Sequence, residues 1–124
     1  MDSVRGHAHW SRQIPVDFDD LLSRCLGRMD LVERILQTFQ RTLHKDLEEL
    51  EHAVLACDID EIAHIAHRMK GASLSVSAHE LREYAQRIEA SAKARQFDDI
   101  QGYFVKLKEQ CARFENLSSI TMAG

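Results

Sequence analysis

Residues 59–76 read IDEIAHIAHRMKGASLSV, and the spacing of their apolar and small side chains decides the fold. These side chains alternate intervals of three and four residues, at Ile59, Ile62, Ala66, Met69, Ser73 and Val76. This spacing is typical of an amphipathic helix that packs against other helices. Asp58 and Asp60 suit the positive N-terminal end of such a helix. A glycine inside a helix costs about 1 kcal/mol relative to alanine, so Gly71 needs a reason other than helix stability.

Helical stripes of apolar side chains lie on both sides of this segment. They predict a short helix over about residues 17–25, a long helix over 29–57, and two further helices over 78–95 and 97–116. Because the connections are so short, the four long helices must run antiparallel to their neighbours. We therefore predict an all-α fold, an antiparallel up-down-up-down four-helix bundle with a short additional N-terminal helix.

The predicted bundle occupies residues 15–116. Residues 1–14 show no apolar period and are expected to form a flexible N-terminal arm. Residues 117–124 are expected to form a frayed C-terminal tail. Gly102, in the middle of the last predicted helix, is attributed to close packing between helices.

The length, charge and composition of the chain exclude several classes of function. The chain has 124 residues, enough for one domain, and its net charge of −4 argues against nucleic acid as the principal partner. No apolar run approaches the ~20 residues that span a bilayer, and the N-terminus lacks a signal-peptide pattern. We therefore expect a cytoplasmic protein that does not contact a membrane. Cys25, Cys57 and Cys111 form no C-x-x-C pair and are expected to be small core residues.

A metal site is the first chemistry that a helical bundle with several histidines suggests. Di-metal bundles use two Glu-x-x-His pairs that point into the core, and this chain contains Glu49–His52 and Glu61–His64. At about 100° per residue, however, both histidines lie roughly opposite the apolar stripe of their own helix. We therefore predict no metal site, although a metal-binding bundle stays open as a weaker alternative.

Motifs for hydrolysis and for nucleotide binding are not found. The sequence contains no G-x-S-x-G elbow and no glycine-rich loop followed by Lys-Ser/Thr. The chain therefore has no visible means of binding ATP by itself.

His67 is the strongest candidate for chemistry. On the helical wheel it faces solvent, with Leu74 and Gly71 close to it and Lys70 and His64 within about 60°. A neutral imidazole is a nucleophile, a lysine one turn away can offset the charge of a phosphoryl group, and a glycine leaves space for a partner. Phosphoryl transfer depends mainly on positioning and charge neutralisation, so this constellation suits it.

Residues 66–89, AHRMKGASLSVSAHELREYAQRIE, resemble the histidine-containing phosphotransfer (HPt) domains of phosphorelays. The family pattern is A-H-x-L-K-G-x-S, followed by G-A-x-x-L and then C-x-x-L-E. Among the positions that match this pattern in register are His67, Lys70, Gly71, Ser73, Ala78, Leu81 and Glu89. Met69 and Ile88 replace leucine conservatively, and the resemblance extends over about residues 15–115.

The chain departs from the family pattern at two structural positions. Ser77 stands where glycine is common, and Ala85 stands where cysteine is frequent. At the Glu89 position some relatives have glutamine, which hydrogen-bonds the active imidazole. A carboxylate there could orient His67 and raise its basicity, but it would also repel a phosphorylated imidazole.

The resemblance implies that His67 accepts a phosphoryl group from an aspartyl phosphate of one response-regulator receiver domain and passes it to another. Lys70 would offset the charge of the phosphoryl group, and Glu89 would orient His67. The receiver would dock on Gly71 and on the surface around His64, Arg68, Leu74 and Ser75.

The same resemblance sets the expected partners and cofactors. The partners are receiver domains and a hybrid sensor histidine kinase, and the chain is expected to be monomeric. It would not be an enzyme, because it lacks an ATP-binding kinase domain. It would bind no cofactor, since Mg²⁺ is expected from the receiver. The alternative is a helical adaptor that binds a receiver or kinase without taking phosphate.

Overall fold

The computed structural model describes residues 15–115 and contains five helices and, within this range, no strand. The helices are α1 (Phe18–Arg24), α2 (Met29–Leu55), α3 (Ile59–Ser75), α4 (His79–Lys93) and α5 (Phe97–Glu115). The predicted all-α class and the five predicted helices are confirmed. The arm predicted over residues 1–14 and the tail predicted over 117–124 lie outside the described residues.

Two of the helices begin at an aspartate that caps them. The Asp17 side chain accepts a hydrogen bond from the backbone N–H of Asp20 at the start of α1. Asp58 accepts one from the backbone N–H of Glu61 at the start of α3. Each cap satisfies one of the N–H groups that the first turn of a helix leaves without a partner.

The first four helices end in the same way, with a residue in the left-handed conformation just beyond the helix. These residues are Leu26, Cys57, Ser77 and Arg95, with φ between 55° and 60°. The residue after each of them donates its backbone N–H to a carbonyl of the last helical turn, at 2.8–3.0 Å. Glycine usually occupies this position, because a side chain there is strained.

This termination overturns one prediction about the cysteines. Cys25 and Cys111 are buried as expected, but Cys57 is exposed. The predicted second helix included Cys57, whereas α2 ends at Leu55. The apolar period therefore does not reach Cys57, and the turn carries its side chain into solvent.

The four long helices surround one hydrophobic core. The most extensive contact joins α3 to α4, α5 packs against α4, and α2 packs against both α3 and α5. Phe39 of α2 and Phe114 of α5 meet edge to face, with ring centroids 5.2 Å apart. The stripe predicted for α3 is buried except for Ile59, which is half-buried, and Ile65 is buried in addition. Among residues 15–115, no helix is long and apolar enough to cross a bilayer.

Helix α1 is held against the turn between α3 and α4 by Ser77. The Ser77 hydroxyl donates to Asp20 Oδ2 at 2.5 Å and accepts from the Arg24 guanidinium at 3.1 Å. Its carbonyl accepts from the backbone N–H of Asp17 at 2.8 Å. Ser77, which stands where glycine is common in the pattern quoted above, therefore has a backbone conformation that favours glycine. Its hydroxyl forms hydrogen bonds to α1 that a glycine could not form.

The two mid-helix glycines are both exposed, and neither is explained by packing. A Cβ atom added at Gly71 or at Gly102 would meet no other atom within 4 Å. The prediction that Gly102 allows close packing is therefore wrong. Packing within the domain does not explain Gly71 either, because a side chain at this position would extend into open space.

Candidate functional site

His67 lies in the middle of α3 with 68% of its side chain exposed. His64 precedes it by one turn, and Gly71 and Leu74 follow it by one and two turns. All four residues are exposed, as expected from their common face on the helix. The structure therefore brings together on one surface the imidazole, the glycine gap and an exposed leucine.

A buried carboxylate from α4 lies directly behind the imidazole. His67 Nδ1 is 2.8 Å from Glu89 Oε2, and only 7% of the Glu89 side chain is exposed. Lys70 Nζ donates to the other oxygen, Glu89 Oε1, at 2.8 Å. Lys93 Nζ lies 3.2 Å from Oε2, the same oxygen that His67 contacts. Three side chains thus converge on one carboxylate.

These contacts keep Glu89 ionised. Burial alone would raise the pKa of the Glu89 carboxyl, but hydrogen bonds from Lys70, Lys93 and His67 outweigh it and lower that pKa to about 2. A buried charge is tolerated only where it is paired and hydrogen-bonded, and Glu89 meets that condition through two lysines.

The ionised carboxylate determines the tautomer of His67. A carboxylate without a proton can only accept hydrogen bonds, so His67 Nδ1 carries the proton and donates it to Glu89. In a neutral imidazole the other nitrogen, Nε2, then has a free lone pair. The contact therefore favours the tautomer in which Nδ1 carries the proton and Nε2 has the free lone pair.

Arg68, predicted to contact a partner, is engaged within the protein. Its guanidinium lies 2.9 Å from Asp46 Oδ1 and also pairs with Glu49, both on α2. Asp46 is buried, and the two carboxylates raise the pKa of Arg68 against the effect of desolvation. Arg68 therefore links α3 to α2, one residue away from His67.

The remaining predicted docking residue, Ser75, and the two histidines of the Glu-x-x-His pairs are all on the surface. Ser75 is exposed, and its hydroxyl donates to the carbonyl of Ala72 at 2.7 Å. His52 and His64 are both exposed, as predicted from their positions on the helical wheel. Within residues 15–115 no three His, Cys, Asp or Glu side chains are grouped so that they could hold a metal ion.

An apolar groove runs between α2 and α3 beside this surface. Its volume is about 340 Å³, and Ile35, Phe39, Ala72, Ser75 and Val76 are among the residues that line it. A larger cavity of about 530 Å³ lies between α2 and α5 and shares no lining residue with the His67 surface. The smaller groove includes one of the predicted docking residues, Ser75, in its lining.

The sequence prediction missed two groups of this site. Lys93 lies four residues after Glu89, a spacing that places the two on one helix face and could have indicated their ion pair. Asp46 falls between Leu43 and Leu50 in the alternating three- and four-residue spacing of the buried α2 side chains, so its position could have indicated its burial. Its pairing with Arg68 depends on the way in which α2 packs on α3.

Comparison with known proteins agrees with this geometry. A family model described as "Hpt domain" matches residues 34–117. The crystal structure of the HPT domain from the Hpt sensor hybrid histidine kinase from Shewanella is similar, with a TM-score of 0.75 and 17% sequence identity. That match covers 88% of this chain and 94% of the Shewanella chain, and at this identity it shows the fold alone. No curated protein sequence matches significantly. Since the family model covers well over half of its length, the chain belongs to the Hpt domain family.

Proposed function

We propose that this protein is a phosphorelay intermediate that carries a phosphoryl group on His67 between the aspartates of receiver domains. Membership of the Hpt family supports a phosphotransfer role of this kind. The observation that carries the proposal is the contact between His67 Nδ1 and the ionised Glu89, because in a neutral imidazole it leaves the lone pair of Nε2 free on an exposed side chain.

The proposed reaction is one substitution at phosphorus. The Nε2 lone pair attacks the phosphorus of an aspartyl phosphate, a P–N bond forms, and the P–O bond to the receiver carboxylate breaks. No proton has to leave Nε2 first. The imidazole gains positive charge in this step, and Glu89 Oε2 at 2.8 Å from Nδ1 stabilises that charge. Lys70 offsets the negative charge of the arriving phosphoryl group.

The receiver docks, in this proposal, on the surface around His64, Arg68, Gly71, Leu74 and Ser75. Gly71 supports this assignment, because the space beside it is open and nothing within the domain uses it. Leu74 is 55% exposed and supplies an apolar contact on this surface. Arg68 would present to the receiver the exposed edge of its guanidinium, which is held in place by its ion pair with Asp46 of α2.

Several finer predictions belong to the same proposal. The four long helices are arranged antiparallel, up-down-up-down, with each helix packed against its neighbours. The chain acts as a monomeric carrier in the cytoplasm and not as an enzyme, and a hybrid sensor histidine kinase supplies the phosphoryl group through a receiver. Mg²⁺ enters with the receiver, and this chain binds no cofactor of its own.

The test is transfer from a phosphorylated receiver domain in the presence of Mg²⁺. We expect an acid-labile label on this chain, as is typical of phosphohistidine. His67→Gln removes the nucleophile and abolishes labelling, whereas His64→Gln changes an equally exposed histidine one turn away and retains it. Label that survives in His67→Gln and disappears in His64→Gln would move the site and refute the assignment.

A second candidate function is an adaptor that binds receivers or kinases without accepting phosphate. The exposed Leu74 favours it, since an exposed apolar side chain can contact a partner without any chemistry. A dissociation constant that His67→Gln leaves unchanged, together with no label on the parent protein, would support the adaptor over the carrier.

A further inference from the structure

Lys93 is the one member of the carboxylate cluster that the proposed function does not use. It lies on the last turn of α4, four residues after Glu89, and its side chain is 69% exposed. Its ammonium group is 3.2 Å from Glu89 Oε2, whereas Lys70 occupies Oε1 at 2.8 Å. Glu89 therefore has two cations as partners, one from each helix of the α3–α4 pair.

The charges at the site show why a second cation matters. With Lys70 alone, the carboxylate and the ammonium would neutralise each other, and no net charge would remain for an incoming phosphoryl group. That group would also approach an imidazole that contacts a carboxylate at 2.8 Å. With Lys93 present, the three charged side chains carry one positive charge in excess.

The helices on which the two lysines lie suggest a division of roles. Lys93 shares α4 with Glu89, and its position one turn away keeps it beside that carboxylate. Lys70 shares α3 with His67, one turn further along, so its flexible side chain can turn from Glu89 toward a group on the imidazole. Such a move would leave Glu89 unpaired if Lys93 were absent.

We propose that Lys93 is a positioning residue for phosphoryl transfer: it stays with Glu89 and so frees Lys70 to meet the phosphoryl group on His67. This inference rests on the proposed function and deepens it. It also accounts for how a carboxylate can occupy a position next to a phosphorylated imidazole, because Lys93 removes the repulsion that Glu89 would otherwise exert.

A purely structural role for Lys93 makes a different prediction. A lysine in the last turn of a helix interacts favourably with the helix dipole, and its removal then lowers stability whatever residue stands at position 89. The proposed role instead requires the negative charge of Glu89. The two explanations therefore differ in how Lys93 and Glu89 are coupled.

A double-mutant cycle measures this coupling. The parent protein, Lys93→Met, Glu89→Gln and the double variant are labelled with a phosphorylated receiver and, separately, with phosphoramidate, whose P–N bond breaks to release ammonia as the bond to Nε2 forms. We expect Lys93→Met to slow labelling about fivefold in the parent, near the upper range for an exposed charge pair. In the Glu89→Gln background the loss should shrink to less than about twofold, since no carboxylate charge remains to be offset.

Two further variants make the result specific. Lys93→Arg keeps the charge and should restore labelling to near the parent rate. Lys106→Met removes another exposed lysine, which faces Glu109 on α5, and should leave the rate unchanged. Circular dichroism of each variant shows that the helices are retained.

Each outcome supports or overturns the inference. Equal losses in both backgrounds, or no loss in the parent, overturn the role of Lys93 while leaving His67 as the phosphorylated residue. No label on His67 with either donor overturns the proposed function and this inference together.

Discussion

At the scale of single residues, the site depends on one carboxylate with several partners. Both oxygens of Glu89 are occupied, Oε1 by Lys70 and Oε2 by His67 and Lys93. Because every partner donates to the carboxylate, its charge is retained and the Nδ1 atom of His67 is the ring nitrogen that carries the proton. The tautomer of His67 is thus set from the adjacent helix.

The tautomer of His67 gives a direct prediction. Glu89→Ala removes the acceptor at Nδ1, so the ring proton should distribute over both nitrogens and Nε2 should lose part of its lone-pair character. The ¹⁵N chemical shifts of the two ring nitrogens, measured in the unphosphorylated protein, report this change.

Glu89→Gln is the matched control for that measurement. Its amide oxygen can still accept from Nδ1, so the parent tautomer should persist although the charge is gone. Identical shifts in the parent and in Glu89→Ala would show that Glu89 does not determine the tautomer.

At the scale of helices, α3 and α5 each contain an exposed glycine in open space. Alanine at either position should raise the free energy of unfolding by about 0.5–1 kcal/mol, because glycine has the larger backbone entropy in the unfolded chain. The two differ in their surroundings. Gly71 lies one turn from His67, whereas Gly102 lies on a different helix, away from the His67 surface.

We therefore predict that Gly102→Ala stabilises the protein without affecting transfer, whereas Gly71→Ala stabilises it and slows transfer from a receiver. A methyl group that costs about 1.4 kcal/mol at a close contact corresponds to a roughly tenfold loss. Urea unfolding and transfer rates, measured on both variants, test this pair. Equal transfer rates would show that the gap at Gly71 is not used by the partner.

The helices also show how far sequence reasoning extends. The three-four spacing of Ile62, Ala66 and Met69 was sufficient to predict α3 and its buried face, because burial follows the helical period directly. The ends of α2 and α4 were each predicted two residues late, at Cys57 and Arg95, since neither is the glycine that usually marks a left-handed termination.

The site was predictable only in part, because the helical period relates residues of one helix but not residues of different helices. His67, Lys70 and Gly71 share one helix, so the helical wheel places them together. Glu89 lies 22 residues from His67 in the sequence, and only the family resemblance connected the two. The ion pair of Arg68 with the buried Asp46 depends on how α2 packs against α3, which no local pattern encodes.

At the scale of the whole molecule, the contacts of Glu89 link the geometry of the His67 site to stability, because they cross from α4 to α3. The pKa of Glu89 is lowered from 4.5 to about 2 in the folded protein. A group whose folded-state pKa is depressed stabilises the fold above its unfolded pKa, and this contribution is lost as the pH falls toward the folded value.

The parent protein should therefore lose stability between about pH 4.5 and pH 2, by up to about 3 kcal/mol from this group. Glu89→Gln should show a smaller decrease over the same range. Urea titrations at pH 7 and at pH 3 measure both. Glu83→Gln, which alters an exposed carboxylate of the same helix, should follow the parent curve. Parallel curves for the parent and Glu89→Gln would contradict the depressed pKa.

The placement of the four converging side chains has a consequence for how such domains diverge. His67, Lys70, Glu89 and Lys93 all lie within the single helical hairpin formed by α3 and α4. Substitutions elsewhere in the chain can accumulate as long as the hairpin keeps a surface to pack on. The charge arrangement therefore depends on the relative placement of two consecutive helices, which share the most extensive helix contact within residues 15–115.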